Sequence, residues 1–316
     1  MRMRTFQLAI VLSFLSILIA PPLRAADPES CRTVKFSDVG WTDITATTAA
    51  TSVVLKGLGY TPKTQILSVP VTYVSLKNKD IDVFLGNWMP TMEGDIKPYR
   101  EDGSVETVGV NLNGAKYTLA VSKEAHDGGL KDFADLNKFR KELGGKIYGI
   151  EPGNDGNRLI QDMIDKNTFG LKGFEVVESS EQGMLAQVGR AARRKTWIAF
   201  LGWEPHPMNA NFEMAYLSGG DDIFGPDFGG ATVFTNVRQG YTEECPNLGI
   251  FLKNLKFTLA MENEIMGAIL NDGQDPEKAA TAWIKKNPSV LQAWLAGVQT
   301  FDGKDGMGAV NKEFGL

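Results

Sequence analysis

Residues 33–58 of the chain read TVKFSDVGWTDITATTAATSVVLKGL. Apolar and polar side chains alternate at its start, which predicts a β-strand over Thr33–Val39. Apolar and alanine side chains then recur on one side of Thr42–Leu58, which predicts a helix that the following glycine ends. Two more strands are expected over Gln65–Val71 and Ile81–Leu85, with a short helix between them. This βαβαβ spacing favours an α/β fold with a mostly parallel sheet.

A second series of strands and helices is predicted further along the chain. The expected strands are Tyr117–Val121, Lys146–Ile150, Phe174–Glu178, Thr196–Leu201, Met214–Leu217 and Ala231–Val237. The expected helices are Asp132–Leu143, Asn157–Lys166, Ser180–Arg194, Asn254–Leu270, Pro276–Asn287 and Ser289–Val298. Two successive series predict two α/β lobes, and a ligand would bind in the cleft between them, at strand ends and helix N-termini.

The first 26 residues have the organisation of an export signal. Two arginines and no acid lie in the first seven residues, an apolar run of 13 follows over Leu8–Ala20, and small residues end the segment at Ala25 and Ala26. A membrane anchor is the alternative, but about 20 apolar residues are needed to span a bilayer. We expect cleavage after Ala25 or Ala26, which gives a soluble exported protein.

The composition excludes several classes of function. Hydrophobic residues make up 43% of the chain and charged residues 22%, as in a globular protein. The net charge of −5 becomes −8 once the three arginines of the export signal are removed, so a basic surface for nucleic acid is missing. Two histidines, His126 and His206, cannot form a His-rich zinc site. No phosphate-binding loop, GxSxG, HExxH or CxxC motif occurs, which disfavours an enzyme, and no metal or cofactor is expected.

The two cysteines, Cys31 and Cys245, are expected to form a disulfide because an exported chain folds in an oxidising compartment. Two buried free thiols are the alternative. A bond between positions 214 residues apart would place both ends of the mature chain in one lobe. Lobe I would then comprise residues 27–113 and 218–316, and lobe II residues 114–217.

Three of the six tryptophans share a position relative to the predicted strands. Trp41, Trp88 and Trp203 each follow the carboxyl end of a strand, beside or near a glycine, where loops border the ligand crevice of an open α/β sheet. Aromatic faces around a cleft suit a quaternary ammonium group, which has no N–H to donate and is recognised by shape and cation–π attraction. Stacking on a sugar and simple packing remain alternatives. The other three tryptophans are interpreted as packing residues: Trp197, Trp283 and Trp294.

Five short segments give the chain a resemblance to a known family. They are GWTD at 40–43, GNWMP at 86–90, KYTL at 116–119, EPGN at 151–154 and GWEPH at 202–206. In this order they resemble the periplasmic substrate-binding proteins of ABC importers for choline and glycine betaine, over essentially the whole mature chain. The resemblance implies a type II periplasmic-binding-protein fold whose two lobes close around a solute by hinge bending. It also implies an ABC importer permease as partner and no enzymatic activity.

In the choline-binding members of that family, four aromatic side chains form a cage around the ammonium group. The matching aromatic positions in this chain are Trp41, Trp88, Tyr117 and Trp203. Asp43 and Asn154 match the polar residues that lie near the charged head and the hydroxyl group of the ligand. A carboxylate at Asp43 could offset the charge of choline, accept its O–H and repel the carboxylate of glycine betaine. Plainer roles remain open: Asp43 and Asn154 as helix caps and Tyr117 as a core residue.

His206 supports a different ligand. The betaine binders that the chain resembles have a histidine in a similar segment and use it toward the ligand carboxylate. Taken together, the residues and the resemblance predict a periplasmic, monomeric choline-binding protein. A glycine betaine or proline betaine-binding protein for osmoprotection is the alternative. A periplasmic enzyme that acts on a choline ester is a third hypothesis, for which the sequence offers no clear nucleophile or base.

Overall fold

The computed structural model describes residues 27–316, so the predicted export signal at 1–26 lies outside the described residues. Nine strands lie in the described part of the chain: β1 (Thr33–Asp38), β2 (Thr61–Ile66), β3 (Val83–Met89), β4 (Val105–Ser122), β5 (Lys146–Tyr148), β6 (Glu175–Val177), β7 (Ala199–Glu204), β8 (Met214–Tyr216) and β9 (Gly230–Arg238). Fifteen helices lie in the same residues: α1 (Thr42–Gly57), α2 (Val69–Lys77), α3 (Glu93–Glu101), α4 (Lys123–Asp127), α5 (Asp155–Asp165), α6 (Glu181–Arg194), α7 (Met208–Asn211), α8 (Asp221–Phe224), α9 (Pro226–Gly229), α10 (Tyr241–Glu244), α11 (Pro246–Asn254), α12 (Leu259–Leu270), α13 (Pro276–Lys286), α14 (Val290–Trp294) and α15 (Gly306–Phe314).

These strands form one sheet in the order β2-β1-β3-β9-β4-β7-β5-β6, with β8 paired to β4. Parallel pairing joins β1 to β2 and β3, and it joins β5 to β6 and β7. By contrast, β9 pairs antiparallel with β3 and β4, and β4 pairs antiparallel with β7 and β8. The predicted parallel sheet therefore occurs as two parallel groups, which β4 and β9 connect.

Strand β4 changes partners along its length. Its first part pairs with β9 and its last part with β7 and β8. The register against β9 shifts between Leu112 and Ala115, around Gly114, which has a φ of +75°. Glycine is favoured there because residues with a Cβ rarely adopt that conformation. This irregularity lies at the predicted lobe boundary, 113/114.

Helix α1 is buried almost throughout, which accounts for its run of alanine, threonine and valine residues. It packs against α12 and α13, so the C-terminal helices cover the β1–β3 end of the sheet. Cys31 and Cys245 form the predicted disulfide, with their Cα atoms 5.8 Å apart. Within residues 27–316, no helix is both long and apolar enough to cross a bilayer.

Two predicted elements differ from the structure in their bounds. The predicted strand Gln65–Val71 covers the end of β2 and the start of α2, where Pro70 occupies the first helical turn and no helical hydrogen bond is lost. The predicted helix Asn254–Leu270 begins later in the structure, since α11 ends at Asn254 and α12 starts at Leu259. The cause is a tertiary contact, since the main-chain N–H of Phe257 donates to the carbonyl of Asn111 in β4 at 2.7 Å.

The predicted helix Asp132–Leu143 is wrong. A 3-10 turn occupies Phe133–Asp135, and further turns follow it. The Asp132 side chain accepts the N–H of Ala134 at 2.9 Å, and the Asp135 side chain accepts the N–H of Asp132 at 3.1 Å. These local bonds stabilise a tight turn in competition with an α-helix.

The three tryptophans interpreted as packing residues do pack against the protein. Trp294 is 1% exposed and lies edge-on to Phe257, with ring centroids 5.7 Å apart. Trp197 precedes β7 rather than lying inside it, and its ring is 5.0 Å from that of Phe139. Trp283 is only partly buried, on α13.

Candidate ligand-binding site

Four aromatic side chains, which we call the aromatic cage, meet near the middle of the sheet. Trp41 lies between β1 and α1, Tyr117 lies in β4, and Trp88 and Trp203 are the next-to-last residues of β3 and β7. The sequence placed Trp88 and Trp203 in loops, but both belong to strands, so the sheet fixes their positions. Each of the four side chains is at most 6% exposed.

The rings of the aromatic cage stand at steep angles to one another. The ring centroids of Trp88 and Tyr117 are 6.2 Å apart at 65°, and those of Tyr117 and Trp203 are 6.2 Å apart at 82°. Together with Asp43 and Ile150, the aromatic cage lines a small cavity.

Asp43 contributes a carboxyl group to the cavity wall. It is the second residue of α1 and is 2% exposed. Its Oδ2 accepts the Nε1–H of Trp88 at 3.1 Å, whereas Oδ1 has no hydrogen-bond partner among the described residues. A buried polar atom without a partner is costly, so this oxygen is a group that a ligand could satisfy.

The protonation state of Asp43 follows from its surroundings. Burial raises the pKa of Asp43 to about 8, and the nearby Glu181 carboxylate adds to the increase. The hydrogen bond from Trp88 acts in the opposite direction. The raised pKa favours the neutral carboxyl group, whereas a cation beside it would favour the ionised form.

Polar partners hold two residues of the aromatic cage from behind. Trp41 donates its Nε1–H to Glu151 at 2.9 Å, and Tyr117 donates its hydroxyl proton to Oδ1 of Asn154 at 2.8 Å. The same Oδ1 accepts the N–H of Asn157 at 3.2 Å and so caps α5. Asn154 does not line the cavity. Asn154 therefore has the capping role that the sequence left open, and it contacts the cavity-lining residue Tyr117.

His206 is engaged by the protein itself. Its ring lies 4.8 Å from that of Trp203, and its Nδ1 accepts the N–H of Met208 at 2.9 Å. This assigns the proton of the neutral ring to Nε2, which lies 3.3 Å from Oε1 of Glu181. His206 is 2% exposed and does not line the cavity. Its position therefore gives no support to a betaine carboxylate bound at this ring.

Three residues at or near the site were missed by the sequence analysis. Ile150 lines the cavity and Glu151 holds Trp41, and both follow β5 at the start of the segment that contains Asn154. A strand followed by the turn sequence EPGN is a signal that could have found Glu151. Glu181 contacts Thr42, 139 residues away, and local sequence carries no signal of that contact.

The fold and the site define an extracytoplasmic solute-binding protein with the type II periplasmic-binding-protein fold. Strand ends enclose a small aromatic cavity, and the six residues that line it include one carboxyl group and no cationic side chain. Residues 32–286 match the substrate-binding domain of ABC-type glycine betaine transport systems, OpuAC, and the chain belongs to this family. The family and the structures similar to this chain are solute-binding proteins rather than enzymes, which excludes the choline-ester enzyme.

Three solved structures are similar to the chain. An ABC-transporter choline-binding protein in complex with choline is 69% identical, covers 91% of this chain and 100% of its own, and superposes with a TM-score of 0.90. An unliganded semi-closed form of an ABC-transporter choline-binding protein, with the same identity and coverage, gives 0.84. Lactococcal OpuAC, closed on glycine betaine, is 25% identical over 83% of this chain and 98% of its own, with a TM-score of 0.75. The arrangement described here is thus nearer the choline complex than the semi-closed form.

Proposed function

We propose that this protein captures choline in the aromatic cage and delivers it to an ABC importer. The observation that carries the proposal is a cavity whose lining combines four aromatic rings with one carboxyl oxygen that has no hydrogen-bond partner within residues 27–316. The relative bound to choline, at 69% identity, supports the same ligand.

The chemistry of choline fits this lining. Its trimethylammonium head offers no N–H, so aromatic faces recognise it through cation–π attraction, which is worth about 2 kcal/mol or more in a dry site. An ionised Asp43 would offset the positive charge, and its free oxygen could accept the hydroxyl proton of choline.

Glycine betaine or proline betaine is the second candidate, favoured by the family description and by the lactococcal structure. Either ligand carries a carboxylate that must be paired when it is buried. The cavity-lining residues include no cationic side chain, and both ring nitrogens of His206 already face protein groups. Choline is therefore the better match.

Closure of two lobes is the proposed mechanism. Lobe I would comprise residues 27–113 and 218–316, and lobe II residues 114–217. Trp41 and Trp88 then come from lobe I and Tyr117 and Trp203 from lobe II, so closing the lobes completes the aromatic cage. The register shift in β4 near 113/114 provides a place for bending. We further propose that the export signal at 1–26 directs the protein to the periplasm, where a monomer docks on its permease.

Titration calorimetry with choline and with glycine betaine tests the proposal. Trp88→Ala and Trp203→Ala should each weaken choline binding by at least roughly 30-fold, as expected for the loss of one cation–π contact. Trp283→Ala is the control, since this partly buried tryptophan lies on α13, away from the cavity lining. Unchanged choline affinity in both cage variants, or tighter binding of glycine betaine by the unaltered protein, would contradict the proposal.

A further inference from the structure

A buried carboxylate outside the cavity joins the two proposed lobes. Glu181, the first residue of α6, is 1% exposed and follows β6 at one end of the sheet. Its partner Thr42 is the first residue of α1, which follows β1 near the opposite end. Glu181 does not line the cavity, so it has no contact role in the proposed cage.

The contacts of Glu181 are those of a helix cap supplied from another part of the fold. Its Oε2 accepts the main-chain N–H of Thr42 at 2.8 Å, and its Oε1 accepts the Thr42 hydroxyl proton at 2.5 Å. Trp41 occupies the N-cap position of α1, and its side chain makes no capping hydrogen bond. Glu181 therefore satisfies an amide that the start of a helix leaves without an intrahelical partner.

The Glu181 carboxylate also has a partner in its own proposed lobe. The Nε2 of His206 lies 3.3 Å from Oε1 of Glu181. Both His206 and Glu181 belong to the proposed lobe II, so this contact persists when the lobes separate. The contact with Thr42 crosses the cleft and forms only on closure. A carboxylate buried without enough partners is destabilising, and here the positive N-terminal ends of α1 and α6 add to the donors.

An ion pair also crosses the proposed cleft, but it is more exposed than the contact between Glu181 and Thr42. Arg158 of α5 contacts Asp95 of α3 at 2.8 Å, and the arginine side chain is 39% exposed. Exposed ion pairs contribute little because water and salt screen them. The contact between Glu181 and Thr42 differs because both residues are buried. In addition, Thr42 lies in the sequence between two cavity-lining residues, Trp41 and Asp43.

We propose that Glu181 is a positioning residue of the binding site, which caps α1 across the cleft on closure and thereby fixes Trp41 and Asp43 around the ligand. His206 holds the Glu181 carboxylate ready for this contact. The inference rests on the proposed closure of two lobes around choline.

The test combines affinity with a direct measure of closure. Spin labels on cysteines that replace two exposed lysines, Lys63 in lobe I and Lys141 in lobe II, report the distance between the lobes with and without choline. Glu181→Gln should lower choline affinity by roughly 10- to 100-fold, the effect of losing hydrogen bonds to a charged group. At saturating choline, it should also leave a larger fraction of open molecules. Glu175→Gln, an exposed acid in β6, is the matched control and should change neither quantity.

A purely structural role predicts a different pattern. If Glu181→Gln lowers the melting temperature of the unliganded protein as much as that of the choline complex, the proposal is overturned. It is also overturned if choline closes the variant as fully as the unaltered protein. Thr42→Val removes only the hydroxyl partner, should act in the same direction with a smaller effect, and should add little to Glu181→Gln. Failure of the unaltered protein to bind choline would instead reject the proposed function.

Discussion

At the scale of single residues, Asp43 couples ligand binding to protonation. Its pKa is raised to about 8, mainly by burial and next by Glu181. A cation in the cavity lowers that pKa, so choline binding expels the proton when the pH lies below 8. We predict about one proton released per choline at pH 7, and an affinity that increases as the pH is raised from about 6 to 8.

Calorimetry in two buffers with different ionisation enthalpies measures the proton release. Asp43→Asn should bind choline more weakly, release no proton and lose most of the pH dependence, and it should tolerate glycine betaine better than the unaltered protein does. Equal binding enthalpies in both buffers would show that Asp43 is already ionised in the free protein, against this prediction.

Which site residues could be predicted depends on how local their signal is. The sequence identified Trp41, Asp43, Trp88, Tyr117 and Trp203, and the structure brings their side chains to one cavity. Their signal is local, because the three tryptophans follow predicted strands and because Asp43 and Tyr117 lie in short segments that carry the family resemblance. By contrast, an isoleucine that follows a strand, such as the one that completes the cavity wall, looks like any other core residue. The contact that caps α1 depends on tertiary structure and is absent from any short window.

At the scale of helices and strands, Asn154 links the start of α5 to the aromatic cage. Its Oδ1 accepts both the N–H of Asn157 and the hydroxyl proton of Tyr117. Asn154→Ala should cost about 1 kcal/mol of stability through the lost cap. It should also weaken choline binding about fivefold through the freed tyrosine, the value of one hydrogen bond.

Asn154→Ser separates the two roles. Serine caps helices well but is too short to reach Tyr117, so this variant should keep the stability and still lose the affinity. Thermal unfolding and calorimetry of both variants provide the measurement. Loss of affinity in the alanine variant alone would mean that α5, and not Tyr117, transmits the effect.

The elements that the sequence predicted well are those whose local pattern agrees with their tertiary surroundings. Helix α1 is an example, because its apolar and small residues match a helix that is buried almost throughout. The helix predicted over Asn254–Leu270 begins only at Leu259, because β4 binds the main chain of Phe257. The segment after Asp132 became a turn because two aspartate side chains bind nearby N–H groups. A hydrophobic pattern reports neither kind of competition.

At the scale of the whole molecule, the folded protein contains a group of buried acids. Burial raises the pKa of Asp43 to about 8, of Glu151 to about 7 and of Asp155 to about 6, and it raises the pKa of Glu262 well above the usual value. The unfolded chain ionises its carboxyl groups near pH 4. Between pH 4 and these raised values, the folded protein therefore holds protons that the unfolded chain has lost.

The sign of the effect on stability follows from this difference in bound protons. Because the folded state binds more protons than the unfolded state over this range, its stability with respect to these groups is highest below about pH 4 and decreases as the pH increases toward 8. We predict that the unliganded protein melts at a lower temperature at pH 8.5 than at pH 5.5. Choline should raise the melting temperature more at pH 8.5, where Asp43 is ionised and binding is tighter. Thermal unfolding at both pH values, with and without choline, measures this, and Asp43→Asn should reduce the alkaline loss. A melting temperature of the unliganded protein that is constant or increases over this range would show that water reaches these acids in the free protein.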